Sequence, residues 1–132
     1  MKIEHYNGVN DELFLKVARL VMNPDVLREN NNYPFKTSER FIWFVASEEE
    51  QVIGFMPVEL KKNSMLVNNY YVSKGNSDVL DALLKAVIQS NEADENLQAV
   101  VLSRDIAIFQ MNNFDVIREW KLYVKMKWHS QQ

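Results

Sequence analysis

The stretch "NNYYVSKGNSDVLDALLKAVI", Asn68 to Ile88, changes its hydrophobic pattern part-way along. Up to Lys74 it predicts a strand, and from Asp78 the apolar residues keep helical spacing. Gly75 lies between the two and is one of only three glycines in the chain. A strand, a glycine and a helix in this order fit either a cradle for a phosphate-bearing cofactor or a simple turn.

The segments before this stretch show two helix patterns followed by a strand pattern. Apolar spacing in "DELFLKVARLVMN" (residues 11–23) predicts a helix capped by Asn10 or Asp11. Pro24 ends that helix and can open a second, short one, because proline is tolerated in a first turn. "FIWFVAS" (residues 41–47) is almost continuously apolar, which is typical of a strand covered on both faces.

Further strand patterns complete the order of elements. "QVIGFMPVELKK" (51–62) contains Pro57, which favours a bulge or an edge position. "SMLVNNYYVS" (64–73) predicts one more strand, and "WKLYVKMKW" (120–128) alternates cleanly. The predicted order is β-α-α-β-β-β-α-β-α-β-β, an α/β or α+β sandwich with a mixed sheet flanked by helices.

Composition excludes several classes of protein. With 132 residues, 47% of them hydrophobic and 25% charged, the chain suits one globular domain over residues 1–132. A net charge of −3 argues against a general nucleic-acid binder. The absence of cysteine excludes disulfides and thiolate metal sites, and His5 and His129 give no metal-ligand pattern, so no metal is expected. Without a membrane-spanning run or a secretory signal, we expect no membrane partner and a cytoplasmic location.

Three segments together resemble one family. "QVIGFMPVEL" (51–60) resembles its third strand, and residues 68–88 resemble its acyl-CoA strand, loop and helix, ending in the pair Leu83–Leu84. "AIFQMNNFDVIREWKLYVKMKW" (107–128) resembles its closing segment, in which a helix ends in a glycine–phenylalanine pair before two strands. In order and spacing the chain resembles the GNAT (N-acetyltransferase) superfamily along essentially its whole length. The resemblance implies a mostly antiparallel mixed sheet of six to seven strands.

The chemistry that this resemblance implies is transfer of an acyl group from acetyl-CoA, or another acyl-CoA, to an amine in a ternary complex. In the family the fourth strand, here Asn69 to Val72, diverges from the fifth, here Leu97 to Ser103, and the pantetheine arm pairs with main chain in the gap. The pyrophosphate then lies on the amides that open the helix. The acyl-CoA contacts implied here are Tyr71, Val72, Ser73, Lys74, Gly75, Asn76, Ser77, Asp78, Arg104 and Phe109.

The loop departs from the family pattern Arg/Gln-x-x-Gly-x-Gly/Ala. Its glycine positions fall on Asp78 and Leu80, and its arginine position falls on Gly75. Asp78 and Asp81 stabilise the helix dipole but repel a diphosphate, by roughly 3 kcal/mol per charge pair at about 6 Å and an effective dielectric near 20, before salt screening. A helix capped by Ser77 and Asp78 is therefore as good an interpretation as a phosphate cradle.

The closing helix also departs from the family, which often carries a tyrosine that protonates the leaving thiolate. That position is Phe109 here, while Asn113 takes the place of the family glycine and tolerates the same left-handed backbone. Tyr70 or Tyr71, on the diverging strand, could supply the missing acid, or each could serve packing alone.

Candidate residues for the acceptor side come from several elements. Glu59, near the end of the third strand, is the first candidate for the general base, with His5 as second choice. Tyr33 and Phe35 can line the acceptor cleft or pin down their loop. Asn69 and Ser103 are the other predicted acceptor contacts.

Two hypotheses follow. The first is an N-acyltransferase acting on a small-molecule or peptide amine, and the second is a non-catalytic binding or regulatory module of the same fold. The second allows a homodimer through the apolar face of residues 120–128 or the strand edge beside it.

Overall fold

The computed structural model describes residues 1–92 and 96–130, which form an eight-stranded sheet with helices on both faces. The strands are β1 (Lys2–Asn7), β2 (Phe41–Glu48), β3 (Gln51–Lys61), β4 (Ser64–Val67), β5 (Tyr71–Val72), β6 (Asn96–Leu102), β7 (Phe114–Glu119) and β8 (Tyr123–Trp128). The helices are α1 (Asp11–Val21), α2 (Pro24–Glu29), α3 (Ser77–Ser90) and α4 (Ile106–Met111), with short 3-10 turns at Ser73–Gly75 and Ser103–Asp105.

The sheet runs in the order β1-β2-β3-β4-β6-β8-β7, and β5 pairs with β3 beside β4. All of these pairs are antiparallel except β4 with β6. This confirms the predicted mixed, mostly antiparallel sheet flanked by helices. The starts of α1 and α2 are also as predicted, because the Asn10 side chain caps α1 and Pro24 occupies the first turn of α2.

The prediction of a single strand over residues 64–73 is wrong, and this raises the strand number to eight. The chain leaves the ladder between Val67 and Tyr71, where Asn69 adopts a left-handed backbone with φ of 56°. Pro57 lies opposite this break, so it is neither on an edge strand nor at the bulge of β2 with β3, which falls between Ala46 and Ser47. A residue without an N–H fits here because the ladder beside it is interrupted.

Two apolar cores lie on opposite faces of the sheet. The strand β2 contributes to both, as its continuous apolar run predicts, with Trp43 and Val45 on one side and Phe44 and Ala46 on the other. The smaller core packs β1–β3 against α1. The larger core packs the sheet against α3 and α4, and its α3 residues are Val79, Leu80, Leu83, Leu84 and Val87.

The apolar face predicted along residues 120–128 is divided between core and surface. Val124 and Met126 are buried and Trp128 packs against the larger core, while Trp120 and Leu122 are exposed. The whole face therefore cannot form a dimer contact, because its second half is already covered by the protein's own core. The homodimer stays a prediction, restricted to the exposed hairpin tip and the edge strand β7.

None of the helices in the described ranges combines the length and apolarity that a bilayer crossing requires.

Candidate active site

A gap opens in the sheet where β4 and β6 stop running side by side. Their parallel pairing ends at Val67 and Ala99. In the described part of the chain β5 pairs only with β3, at Gly54 and Phe55. Beyond Ala99, β6 pairs among the described residues only with β8, as far as Leu102. The gap lies where the divergence of residues 69–72 from residues 97–103 was predicted.

A cleft of about 550 Å³, which we call the large cleft, lies at this divergence on the face opposite α3. The face is assigned by β6, because Ala99 and Val101 point into the α3 core and Val100, between them, lines the cleft. Residues from every surrounding element form its walls: Tyr33, Pro34, Lys36, Phe41, Glu59, Asn68, Asn69, Val100, Trp120 and Tyr123. The predicted residues Tyr33, Glu59 and Asn69 are thus brought together in one cleft.

Glu59 is the acidic residue of this wall. It is half-buried on β3, in register with Phe41 of β2 and Leu66 of β4. Within residues 1–92 and 96–130 its carboxylate has neither an ion-pair nor a hydrogen-bond partner. A half-buried carboxylate without a partner can accept a proton from a ligand or form an ion pair with a ligand's ammonium group.

The gap itself holds only a small cavity of about 10 Å³, roughly the space that one water molecule needs. Tyr71 and Val72 line it from β5, Gly75 from the loop that follows, and Arg104 and Asp105 from the turn after β6. These are predicted acyl-CoA contacts, apart from Asp105. The structure brings them together but leaves almost no free volume between them.

Tyr70 closes the gap. Tyr70 is only 4% exposed. Its hydroxyl donates to Asp105 Oδ2 at 2.6 Å and accepts from the Leu102 backbone N–H at 3.1 Å. Burial, followed by the charge of Asp105 and the hydrogen bond to it, raises the pKa of Tyr70 well above its ordinary value. Tyr70 therefore keeps its proton at neutral pH, and its hydroxyl oxygen takes up the backbone N–H of Leu102 at the end of β6.

A buried asparagine connects the small cavity with the large cleft. Asn30 lines the former, and its Nδ2 donates to Oδ1 of Asn69, which lines the latter, at 2.9 Å. The Tyr123 hydroxyl donates to Asn30 Oδ1 at 3.1 Å, so the 30–40 loop, the β4–β5 break and β8 share one network. Asn30 was not among the predicted site residues, because no local sequence pattern signals its burial.

The start of α3 is capped by a residue other than those predicted. Asn76 Oδ1 accepts from the backbone N–H groups of Asp78 and Val79, at 3.0 and 3.3 Å, and this corrects the prediction of a cap by Ser77 and Asp78. An Asn at this position has extended backbone geometry and a short side chain that reaches the first-turn amides. Before it, Lys74 and Gly75 both adopt left-handed φ values, 56° and 61°.

Solved structures share this architecture, and several of them are N-acyltransferases or N-acetyltransferases. Escherichia coli ElaA superposes with a TM-score of 0.79 at 9% identity, covering 98% of this chain and 100% of that one. An acyl-CoA N-acyltransferase from Pseudomonas aeruginosa gives 0.76 at 10% identity, with the same coverage. The Campylobacter jejuni N-acetyltransferase PseH, in complex with acetyl coenzyme A, gives 0.64 at 15% identity and covers 98% and 99%. No protein-family model and no curated protein sequence matches the chain.

The chain has the GNAT fold. At these identities the likeness establishes the architecture alone. The GNAT resemblance predicts the pantetheine at the divergent strands, the acceptor between these strands and the loop of Tyr33, and the pyrophosphate at the start of α3, and these assignments stay predictions.

The closing helix of this GNAT fold carries no acid. Phe109 is fully buried, with its ring centroid 5.3 Å from that of Phe114 and 5.7 Å from that of Tyr70. The prediction that Phe109 contacts acyl-CoA is therefore not supported in this conformation, because its ring is enclosed by the core. The phenol ring of Tyr70, one of the two predicted substitutes, packs directly against it.

Several other predicted residues lie away from the large cleft. Phe35 packs edge-on against Phe55 at 5.1 Å, so it holds the 30–40 loop on the smaller core and does not line the cleft. The ring of Tyr71 also packs against Phe55, tilted, with 5.6 Å between the ring centroids. Ser103 is exposed in the turn after β6, and His5 is exposed beside Phe44. Among the described residues no group of three or more acidic or histidine side chains is placed to hold a metal ion.

A charge substitution at the start of α3 tests whether this helix binds a diphosphate. We expect Asp78→Asn to tighten CoA binding about three- to tenfold at low salt and less at high salt, because it removes an exposed like charge. Isothermal titration calorimetry at two salt concentrations measures this. Asp11→Asn, an equally exposed first-turn position of α1, should leave the affinity unchanged. Equal affinities of Asp78→Asn and wild type would show that the diphosphate does not lie near Asp78.

Proposed function

We propose that this protein is an acyl-CoA-dependent N-acyltransferase, using acetyl-CoA as donor and acylating a primary amine by direct attack in a ternary complex. The observation that supports the proposal is the large cleft at the divergence of β4 and β6, with the unpartnered carboxylate of Glu59 in its wall. The co-crystallised acetyl coenzyme A of PseH supports the same donor for this GNAT fold. The cytoplasm is its proposed location.

In this mechanism the amine nitrogen attacks the thioester carbonyl carbon, and the C–S bond breaks as the amide C–N bond forms. Glu59 accepts the proton that the amine must lose, directly or through one water molecule. Most of the rate enhancement comes from holding the two substrates together and from main-chain polarisation of the carbonyl.

The acyl-CoA arm would lie along β5, with its diphosphate at the turn from Ser73 to Ser77. Lys74 and Arg104 are exposed cations at either side of the gap and can offset the phosphate charge. The Leu102 N–H at the edge of the gap is occupied by the Tyr70 hydroxyl, so in this mechanism Tyr70 leaves it when acyl-CoA binds. The pantetheine then takes over that donor.

Tyr70 is the proposed acid for the leaving thiolate. It holds a proton at neutral pH, and its hydroxyl lies at the end of β6, beside the ring of Phe109. The movement that frees Leu102 N–H also turns the hydroxyl away from Asp105, which makes its proton available to the sulfur. Tyr71 stays the second candidate, with its ring packed against Phe55.

A second function, a non-catalytic GNAT-fold binding or regulatory module, is favoured by one observation. The gap is filled by Tyr70, with its hydroxyl satisfied on both sides. A protein that never opens this gap would keep the architecture and bind no acyl-CoA.

Calorimetry with CoA and acetyl-CoA separates the two functions, followed by measurement of thiol release with a panel of amines. Binding in the micromolar range and amine-dependent release of CoA are expected for the transferase. Absence of binding at millimolar ligand would contradict the transferase and support the module.

Tyr70→Phe tests the proposed movement and the proposed acid together. We expect a loss of about 1–3 kcal/mol of unfolding free energy, because the Leu102 N–H loses its buried partner. Acetyl-CoA binding should become several-fold tighter, since the ligand now satisfies that donor, while kcat falls for lack of a proton source. Chemical denaturation, calorimetry and steady-state kinetics measure the three quantities.

Tyr6→Phe is the control, because Tyr6 is a buried tyrosine of the smaller core. It should change neither acetyl-CoA affinity nor kcat. If Tyr70→Phe kept the wild-type kcat at saturating substrates, Tyr70 would not be the acid.

A further inference from the structure

The large cleft combines aromatic walls with two opposite charges. Four aromatic side chains line it, Tyr33, Phe41, Trp120 and Tyr123, and its charged residues are Glu59 and Lys36. In the described part of the chain, neither of these two has an ion-pair partner. A ligand that fills the cleft therefore meets one free carboxylate, one free ammonium and several flat apolar faces.

Further cations on the same face of the sheet add to the positive charge of Lys36. Val100 of β6 pairs with Lys125 of β8, and Lys125 pairs with Arg118 of β7, so these residues share the cleft face of the sheet. The Arg118 guanidinium lies over the Trp120 ring, 5.4 Å from its centroid. Asp115 of β7, which pairs with Lys127 of β8, lies on the same face but one pair farther from Val100, so the charges beside Val100 are positive.

These charges discriminate between classes of amine. A polyamine would bring several positive charges to a wall with one carboxylate and a lysine, so like-charge repulsion opposes it. A simple aromatic amine would pair with Glu59 and make no contact with the exposed ammonium of Lys36. An aromatic molecule with an amine and a separate anionic group satisfies both.

We propose that the acceptor is a primary amine on an aromatic body that also carries an anionic group, and that Lys36 binds this anion while Glu59 faces the amine. The proposal rests on the proposed transferase function and specifies the acceptor of that same cleft. Short peptides with an aromatic first residue and a free carboxylate belong to this class. Their α-amino group, with an ordinary pKa near 8, is also far easier to deprotonate than a lysine side chain near 10.4.

A matched pair of ligands tests the anion directly. Phenylalanyl-glycine and its carboxamide differ only in the terminal charge. We expect the free acid to bind about tenfold more tightly than the amide in calorimetry, with and without CoA present. Lys36→Ala should weaken the free acid about tenfold and change the amide less than about twofold. Lys62→Ala, an exposed lysine of the β3–β4 turn, should change neither.

The outcomes separate this proposal from the transferase function. Equal affinities of the acid and the amide, no binding of either, or an equal loss for both in Lys36→Ala would overturn the proposed acceptor class. If the protein acetylated spermidine or phenethylamine as efficiently as it acetylates the dipeptide, the proposed acceptor class would also be wrong, whereas the transferase function would be supported. Selective binding of the free acid without any acetyl transfer would support the ligand class and contradict the transferase.

Discussion

Glu59→Gln is expected to lower kcat/KM for the amine by about 10²- to 10⁴-fold, the usual contribution of a positioned general base. Glutamine keeps the size and hydrogen-bonding shape of the side chain but cannot accept the amine proton. Because Glu59 has no partner in the described ranges, the substitution breaks no internal ion pair, and stability should change by less than about 0.5 kcal/mol. Steady-state kinetics at saturating acetyl-CoA measure the effect.

Glu50→Gln is the matched control for this substitution. Glu50 lies in the exposed β2–β3 turn, at the other end of the same strand pair, and its change should leave kcat/KM unaltered. Acetyl-CoA affinity should be unchanged in both variants, since neither residue lies near the small cavity. If Glu59→Gln retained kcat/KM within about threefold, another group would have to be the base.

Phe55→Ala is expected to cost about 3–5 kcal/mol of unfolding free energy. Phe55 is 0% exposed on β3, and its ring lies 5.1 Å from those of Phe35 and Trp43 and 5.6 Å from that of Tyr71. Truncation removes the surface on which the 30–40 loop and β5 both pack. The midpoint of thermal unfolding should therefore fall by about 10–20 °C.

Phe14→Ala shows what the same truncation costs where the ring is not buried. Phe14 is on α1 and 49% exposed, so its removal should change stability by less than about 0.5 kcal/mol. Phe55→Leu retains most of the buried volume and should lose clearly less stability than Phe55→Ala. A loss below about 1 kcal/mol for Phe55→Ala would mean that loop and β5 are held by other contacts.

The loop between α2 and β2 depends on a close backbone approach as well as on Phe55. A Cβ on Gly8 would overlap the Ser38 carbonyl oxygen and the Thr37 hydroxyl. The Thr37 hydroxyl donates to the Gly8 carbonyl at 2.7 Å and accepts from the Trp43 indole at 3.0 Å. Gly8 and Phe55, which hold the loop that carries Tyr33 and Lys36, are thus far from this loop in sequence.

Local sequence patterns determined the architecture of this protein. Helical spacing from Asp78 onward, the continuous apolar run of β2 and the alternation over residues 120–128 depend only on neighbours a few residues apart, so they could be recognised directly. Glu59, Tyr33 and Asn69 could be named as cleft residues because their elements have fixed places in the GNAT fold. The Asn76 cap was missed because Asn76, Ser77 and Asp78 are all good capping residues, and only backbone geometry selects among them.

Only the tertiary structure decided how the site is filled. Tyr70 reaches Leu102 and Asp105 across 32 and 35 residues of sequence, and Asn30 reaches Asn69 across 39. Such contacts depend on how strands far apart in the chain are brought together, and no local period encodes them. The family resemblance therefore predicted which strands diverge, whereas packing between distant segments determined that the gap is closed by a tyrosine and that the cleft beside it is open.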